Sequence, residues 1–187
     1  MGAFVRGSLR IVKSYGLTAI VAVAIALAVQ GFIVKPFVIP TPSMANTVQA
    51  GDRVLIDRVT YHFRAVHRGD VVVFDGHGPI PLLKRVVGLP GDVLAIRSGR
   101  LYVNGRPSSQ SYVRRIDGVP VPTTPGPEPA APWSLARPFR VPSGMYFVMG
   151  DNRTDSADSR YWGLVSRAQI IGRGLAVYWP PAELRGL

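Results

Sequence analysis

DVVVFD (Asp70–Asp75) and LLKRVVG (Leu82–Gly88) are short apolar runs rich in β-branched residues, and Gly, Pro and Asp punctuate the chain around them. Such residues suit a pleated, half-buried surface, so both stretches read as β-strands. Outward from this pair the pattern repeats. RVLIDRV (Arg53–Val59) lies upstream, and Val93–Arg97 and Leu101–Val103 flank Ser98-Gly99-Arg100, a hairpin signal. Asn104-Gly105 opens a further turn, and MYFVM (Met145–Met149) and GRGLAVYW (Gly172–Trp179) complete the set. Short strands with no helical periodicity between them predict a mainly β fold, an antiparallel-sheet or barrel-like domain. Residues 112–142 break the rhythm. Eight of the 17 prolines lie there, including VPVPTTPGPEPAAPW, and the segment reads as an extended excursion between core strands.

The N-terminal end is built differently. Residues 15–34, YGLTAIVAVAIALAVQGFIV, carry no charge. Twenty residues at about 1.5 Å each span the roughly 30 Å hydrocarbon core of a bilayer. Arg6, Arg10 and Lys13 precede this run and only Lys35 follows closely. The positive-inside rule therefore predicts a cytoplasmic segment at 1–14, a single transmembrane helix at 15–34 and an extracytoplasmic domain at 36–187. A cleavable secretory signal is the rival, since small-x-small triplets such as Ala22-Val23-Ala24 are present. Its apolar region normally runs about 7–15 residues, shorter than this one, so a retained anchor is the reading adopted.

Composition narrows the functional classes. A chain of 187 residues holds one main domain. The absence of cysteine excludes disulfides, thiolate metal sites and a cysteine nucleophile, and three histidines are too few for a His-rich metal cluster. The net charge of +11 comes from 22 basic and 11 acidic residues, with no acid before Asp52. Part of the excess is thus the membrane-orientation signal, and the rest is scattered with no run of five or more. That argues against nucleic acid as a partner and for a positive face near anionic lipid headgroups. Inside the sum lies a sharper asymmetry: 19 of the basic residues are Arg and three are Lys, at Lys13, Lys35 and Lys84.

Three segments carry chemistry. Just outside the expected anchor, Phe37-Val38-Ile39-Pro40-Thr41-Pro42-Ser43-Met44 places Ser43 on a chain stiffened by alternate prolines, with Thr41 biased to an extended conformation. From spacing alone, a rigid linker with incidental hydroxyls is the favoured account of that stretch. In the second segment Lys84 sits within an apolar strand, the only lysine beyond the membrane edge. Arg serves for an ion pair or a surface charge, but only Lys can lose its proton. An ordinary lysine, with a pKa of about 10.4, is roughly 0.04% neutral at pH 7, and a downward shift of about two units raises that a hundredfold. Burial among Leu and Val acts in that direction, although alternation alone leaves open which face of the strand is buried. The third segment, Gly150-Asp151-Asn152-Arg153-Thr154-Asp155-Ser156-Ala157-Asp158-Ser159-Arg160-Tyr161-Trp162-Gly163, is densely polar and follows a strand. Its alternating acids resemble a calcium loop, but no Glu occupies the twelfth position, so no metal is assigned.

Taken in order, a Ser-Met after a Pro/Thr stretch outside an anchor, GDRVLIDR, KRVVGLPGD and GDNRTDSADSRYWG resemble the bacterial type I signal (leader) peptidases, membrane-bound Ser-Lys proteases. The resemblance covers the anchor and most of 37–106 and 141–177. It departs at Thr41, where many members have Ser, and at Asn46, where a proline is common. It implies Ser43 as nucleophile and Lys84 as general base. The Ser43 backbone N–H and the Thr41 hydroxyl are implied as oxyanion donors, with Ser156 orienting the Lys84 amine. Asp158 and Arg160 are implied as a supporting salt bridge. Phe37, Ile39, Met44, Val48 and Leu83 match positions that line the apolar substrate pockets of relatives. No metal or organic cofactor is implied. The expected partners are precursors bearing signal peptides that end in small residues (Ala-x-Ala), bound as an added strand, together with membrane lipid and transient contact with the export machinery. The expected location is the bacterial plasma membrane.

Three rivals remain: a hydrolase pairing Ser43 with His62, His67 or His77, an anchored β-domain that binds exported chains without cutting them, and a specialised Ser-Lys relative. The full RYWG ending favours the general bacterial type.

Overall fold

A computed structural model describes residues 15–16, 18–23, 34–76, 78–109 and 111–187. The chain divides into two compact units, Met1–Lys35 and Pro36–Leu187. In the first unit, residues 15–16 and 18–23 are helical and exposed. Among the described residues no helix is long and apolar enough to cross a membrane. The expected cytoplasmic segment and residues 24–33 of the expected anchor lie outside the described residues.

The second unit is mainly β. The large sheet has eight strands: β1 (Val34–Val38, which enters this unit at Pro36), β2 (Arg53–Asp57), β3 (Val71–Phe74), β4 (Leu82–Gly88), β11 (Met145–Met149), β12 (Val165–Ser166), β13 (Ile170–Trp179) and β14 (Arg185–Gly186). Their spatial order is β1-β2-β13-β3-β4-β11-β12, with β14 added to β13. The pairs β2–β13, β13–β3, β3–β4, β4–β11 and β11–β12 are antiparallel. The path ends at β1 and β12 without closing, so the expected barrel is realised as an open, curled sheet. Register shifts explain the curl: β13 slips at Ile170/Gly172, Gly174/Ala176 and Val177/Trp179, and β11 slips at Phe147/Val148. Each bulge bends its strand and increases the local twist.

A smaller sheet runs β10 (Phe139–Arg140), β5 (Val93–Arg97), β6 (Arg100–Val103), β7 (Arg106–Pro107). The β5–β6 turn has Ser98 and Gly99 at φ 47° and 74°, the double left-handed conformation of a two-residue type I′ hairpin. The third sheet is the β8 (Arg115–Ile116) and β9 (Val119–Pro120) hairpin.

The paired strands that opened the sequence reading lie side by side at the centre. Val71–Phe74 are all buried, as is every β4 residue except the half-buried Leu82, so these strands read as continuous apolar runs rather than alternating ones. Alternation still decides direction. Leu83 joins Ile39, Met44, Val48, Val54 and Val71 in one buried cluster. Leu82 and Val86 pack with Val72, Phe74, Val148 and Ile170 in another. Lys84 shares the side of β4 with Leu82 and Val86, whereas Arg85 shares it with Leu83 and Val87.

The excursion at 112–142 is no loose loop. Val113, Val121, Thr123, Ser134, Leu135 and Val141 are buried, and Leu135 and Val141 belong to a third core cluster with Leu94, Leu101 and Phe147. Proline fixes φ without needing a backbone donor, so a proline-rich chain can lie extended against a core at low entropic cost.

Candidate active site

Ser43 stands in a single 3₁₀ turn, Pro42–Met44, which Pro42 starts and Thr41, extended at φ −133° and ψ 154°, enters. The turn is buried at Ser43 and Met44. Lys84 projects from the middle of β4. The two converge: Lys84 Nζ lies 2.5 Å from Ser43 Oγ, and Thr41 Oγ1 lies 3.1 Å from the same hydroxyl. Lys84 is 3% exposed. Burial pushes its amine down to about 8, against a smaller upward pull from Asp158 and Asp151. At pH 8 half of the molecules would then carry the neutral amine, against well under 1% for an unperturbed lysine.

The pair opens on a cavity of about 440 Å³ lined by Thr41, Pro42, Ser43, Gly78, Leu82, Lys84, Asp155, Ala157 and Trp162. Phe37, Ile39, Met44, Val48 and Leu83 are brought together, but elsewhere. All five belong to or pack on the cluster facing the other side of β4, Ile39, Met44, Val48 and Leu83 are buried in it, and none lines this cavity. For Leu83 the pleat is the reason: a residue adjacent to Lys84 in a strand points away from it.

Residues 150–160 form the facing layer. Arg160 donates to both Asp158 carboxylate oxygens at 2.9 and 2.8 Å, and the two side chains are 1% and 0% exposed. Asp158 also accepts the Gly150 N–H at 3.1 Å. Ser156 is buried, but its hydroxyl makes no hydrogen bond, so the implied contact with the Lys84 amine is not formed in this structure. Gly150 must be glycine: a Cβ there would overlap the Ser156 hydroxyl and the Ser43 carbonyl oxygen. That close approach sets the whole segment against the nucleophile turn. Asn152 completes the link, donating from its backbone to Ser43 O at 3.1 Å and from its side chain to Pro42 O at 3.2 Å.

Several supporting residues escaped the sequence reading. Arg85 makes a two-pronged ion pair with Asp151, at 2.9 and 2.7 Å, and Thr47 Oγ1 donates to the same carboxylate at 2.5 Å. This ties β4 and the loop after Ser43 to residue 151. The Arg85 guanidinium lies 4.4 Å from the centre of the Tyr112 ring. Arg153, buried, donates to Gly150 O and, at 2.8 Å, to Thr123 Oγ1. Arg160 reaches Thr124 O at 3.0 Å. The proline-rich excursion thus supplies acceptors to two buried arginines of the 150–160 segment. The signal available was the arginines themselves, since buried guanidinium groups need partners.

Among the described residues neither rival histidine lies beside Ser43. His62 is exposed on a helical turn, Thr60–Phe63, near Val59 O, and His67 contacts Arg64 on the exposed surface. His77 lies outside the described residues. Among the described residues no group of three or more His, Asp or Glu is placed to hold a metal ion.

Fold and site define a class: an antiparallel β protein whose buried hydroxyl–amine pair floors a cavity. Comparison with known proteins gives it a family. The model for "Signal peptidase, peptidase S26" matches residues 12–179. A signal peptidase I of Leptolyngbya laminosa is 33% identical, with the alignment covering 92% of this chain and 80% of the relative. A probable signal peptidase I-2 of Synechocystis is 34% identical over 88% and 72%, and signal peptidase I V of Bacillus subtilis 33% over 83% and 92%. A crystal structure of a signal peptidase I from Enterococcus faecalis superposes with a TM-score of 0.49 at 33% identity, over 59% of this chain and 97% of that one. The chain belongs to the signal peptidase family, peptidase S26, and is a serine-type signal peptidase. A non-catalytic binding role is thereby set aside.

Proposed function

We propose that Ser43 is the nucleophile and Lys84 the general base that removes signal peptides from exported precursors, cutting after small residues of an Ala-x-Ala site. The observation that supports this reading most directly is the 2.5 Å approach of Ser43 Oγ to an amine that burial holds near a pKa of 8. A serine hydroxyl is a weak nucleophile until a base takes its proton as it attacks. The neutral Lys84 accepts that proton, Ser43 Oγ bonds to the scissile carbonyl carbon, and negative charge grows on the carbonyl oxygen. The Ser43 backbone N–H and the Thr41 hydroxyl meet that charge, a type of contribution worth about 3–4 kcal/mol per donor. Lys84, now the ammonium, returns the proton to the leaving amine as the C–N bond breaks. Water then attacks the acyl-enzyme with Lys84 again as base, releasing the signal peptide's carboxylate. Ser156 orients the amine when substrate is bound, and the Asp158–Arg160 pair holds Ser156 against the turn. Phe37, Ile39, Met44, Val48 and Leu83 form the apolar backing that limits the acyl-side residues to small ones. The domain acts outside the plasma membrane, held there by the apolar 15–34 segment with its basic flank inside, and meets anionic lipid, precursors and, transiently, the export machinery.

The test compares detergent-solubilised full-length protein with Ser43→Ala and Lys84→Arg on a precursor carrying an Ala-x-Ala site. Both variants are expected to fold and to lose nearly all turnover, and wild-type turnover should survive a chelator. Normal cleavage by Lys84→Arg would remove Lys84 as the base, because arginine cannot become neutral.

A further inference from the structure

We propose that Asp155 is a specificity-determining residue whose carboxylate, in the wall of the Ser43–Lys84 cavity, selects precursors with a cationic side chain on the first residue after the scissile bond. The inference rests on the Ser43–Lys84 reading of the reaction. Among the described residues Asp155 is the one acidic side chain lining that cavity. It is exposed, and its place is fixed by a turn in which its N–H donates to Asn152 O at 3.1 Å.

Most acids of this chain are held by a partner. Asp52, Asp70, Asp92, Asp151 and Asp158 each pair with an arginine. Asp155 has neither an ion pair nor a side-chain hydrogen bond among the described residues, although the chain carries 19 arginines. The other acids without such a partner, Asp75, Asp117 and Glu128, do not line the cavity.

The chemistry of the site gives no reason to place an idle carboxylate there. Negative charge near Lys84 favours the ammonium, the form that cannot accept the Ser43 proton. In the open cavity water screens Asp155. When a precursor fills the cavity and displaces that water, the carboxylate loses its solvation and is stabilised again only by a positive partner. The leaving side is the one that supplies it. Lys84 must reach the leaving amine to return the proton, so the residue bearing that amine lies against Lys84, in the cavity Asp155 lines. A Lys or Arg there meets an opposite charge, and an Asp or Glu meets a like one.

The experiment uses detergent-solubilised full-length protein and three precursors identical except for Lys, Ala or Glu immediately after the cut, reading kcat/KM. Wild type is expected to prefer Lys over Ala over Glu, with a Lys-to-Glu ratio of about tenfold or more that shrinks as salt is raised. Asp155→Asn should flatten the series to within about twofold and Asp155→Lys should reverse it. Thermal melts should coincide with wild type, since the Asp155 side chain holds nothing in place. A flat wild-type series, or a series unchanged in Asp155→Asn, overturns the proposal. A parallel set with Lys, Ala or Glu two residues before the cut should show no dependence on Asp155, and discrimination appearing only there overturns the leaving-side assignment. Turnover by Ser43→Ala on the same precursors would instead overturn the Ser–Lys reading, so the two failures are distinguishable.

Discussion

Ser43 and Lys84 on one wall of the site, and residues 150–160 on the other, solve the problem of burying polar groups in opposite ways. The first wall buries a single ionisable amine whose hydrogen-bond partner among the described residues is an uncharged hydroxyl, at 2.5 Å. The second buries Asp151, Arg153, Asp158 and Arg160, each charge tied down by two or more hydrogen bonds. The difference is the site's logic. Low polarity with no direct counter-ion pushes an amine toward neutrality, whereas low polarity with matched geometry keeps a guanidinium and a carboxylate charged. Arg is the residue for the second task because its planar fork meets both carboxylate oxygens.

The comparison is broken most severely on the charged wall. Arg160→Ala leaves Asp158 fully buried without its partner, and loss of one member of a buried pair costs about 3–5 kcal/mol. Chemical denaturation should show that loss, and adding Asp158→Leu to Arg160→Met should recover much of it. A recovery that large marks the penalty as the orphaned charge rather than lost packing. If the single variant unfolds no more easily than wild type, the pair does not carry the segment.

The amine wall should respond to pH, and the sign can be worked out. The folded-state value of about 8 lies below the ordinary 10.5 of lysine, so the unfolded chain binds more protons between these values. Below pH 8 the native state bears the full penalty of a buried ammonium, about 3 kcal/mol for a shift of this size. Between pH 8 and 10.5 that penalty fades, and stability gains relative to a variant lacking the group. Lys84→Met should therefore be more stable than wild type at pH 7, and the gap should close by pH 10.5. Turnover follows the same titration, rising with pH through about 8 as the neutral fraction grows. A stability gap independent of pH would mean that Lys84 is not held neutral by burial.

Much of this was legible beforehand, and what was missed shares a cause. The strands around Val72 and Lys84 were plain because each is an unbroken apolar run between breakers, and the β5–β6 hairpin because Ser98-Gly99 suits a left-handed turn. Ser43, Lys84, Asp158 and Arg160 were legible through their motif context. The apolar set Phe37, Ile39, Met44, Val48 and Leu83 packs together in the cluster on the other side of β4 from Lys84, a direction the sequence could not give, since it depends on which face of β4 is Lys84's. Thr47, Tyr112 and Thr123 were invisible because Thr47 meets Asp151 across 104 residues, Tyr112 meets Arg153 and Arg85 across 41 and 27, and Thr123 meets Arg153 across 30, and no local pattern encodes a contact at that range. A proline-rich composition also hides packing, since extended chain looks the same in sequence whether it floats or is pressed against a core.

The brace from that excursion is the next test in size. Thr123→Val removes the acceptor for Arg153 while keeping the shape, so a buried guanidinium N–H is left without its partner at a cost of about 1–3 kcal/mol. Thr123→Ser should restore most of the loss. Because Arg153 also holds Gly150, the Val variant should lower kcat more than it raises KM for a precursor. An unchanged kcat would confine Thr123 to stability alone.

The smallest effect lies where charge is paired but not buried. Glu183 is more than half exposed and meets Arg185 at 2.6 Å, but that guanidinium also reaches Asp52 at 3.0 Å and Thr47 O at 2.9 Å. Glu183→Ala leaves those bonds in place and gives up only an exposed pair, which water and salt already weaken, so the change should fall within about 0–1 kcal/mol and vanish in high salt. Asp52→Ala should cost more, because Asp52 is buried and also accepts the Gln49 N–H at 2.9 Å. Measured against Arg160→Ala, the two variants put the same arginine–carboxylate chemistry at three depths. If their costs rank with burial, the charged wall works because it is dry, and if all three cost alike, the contrast between the two walls has another origin.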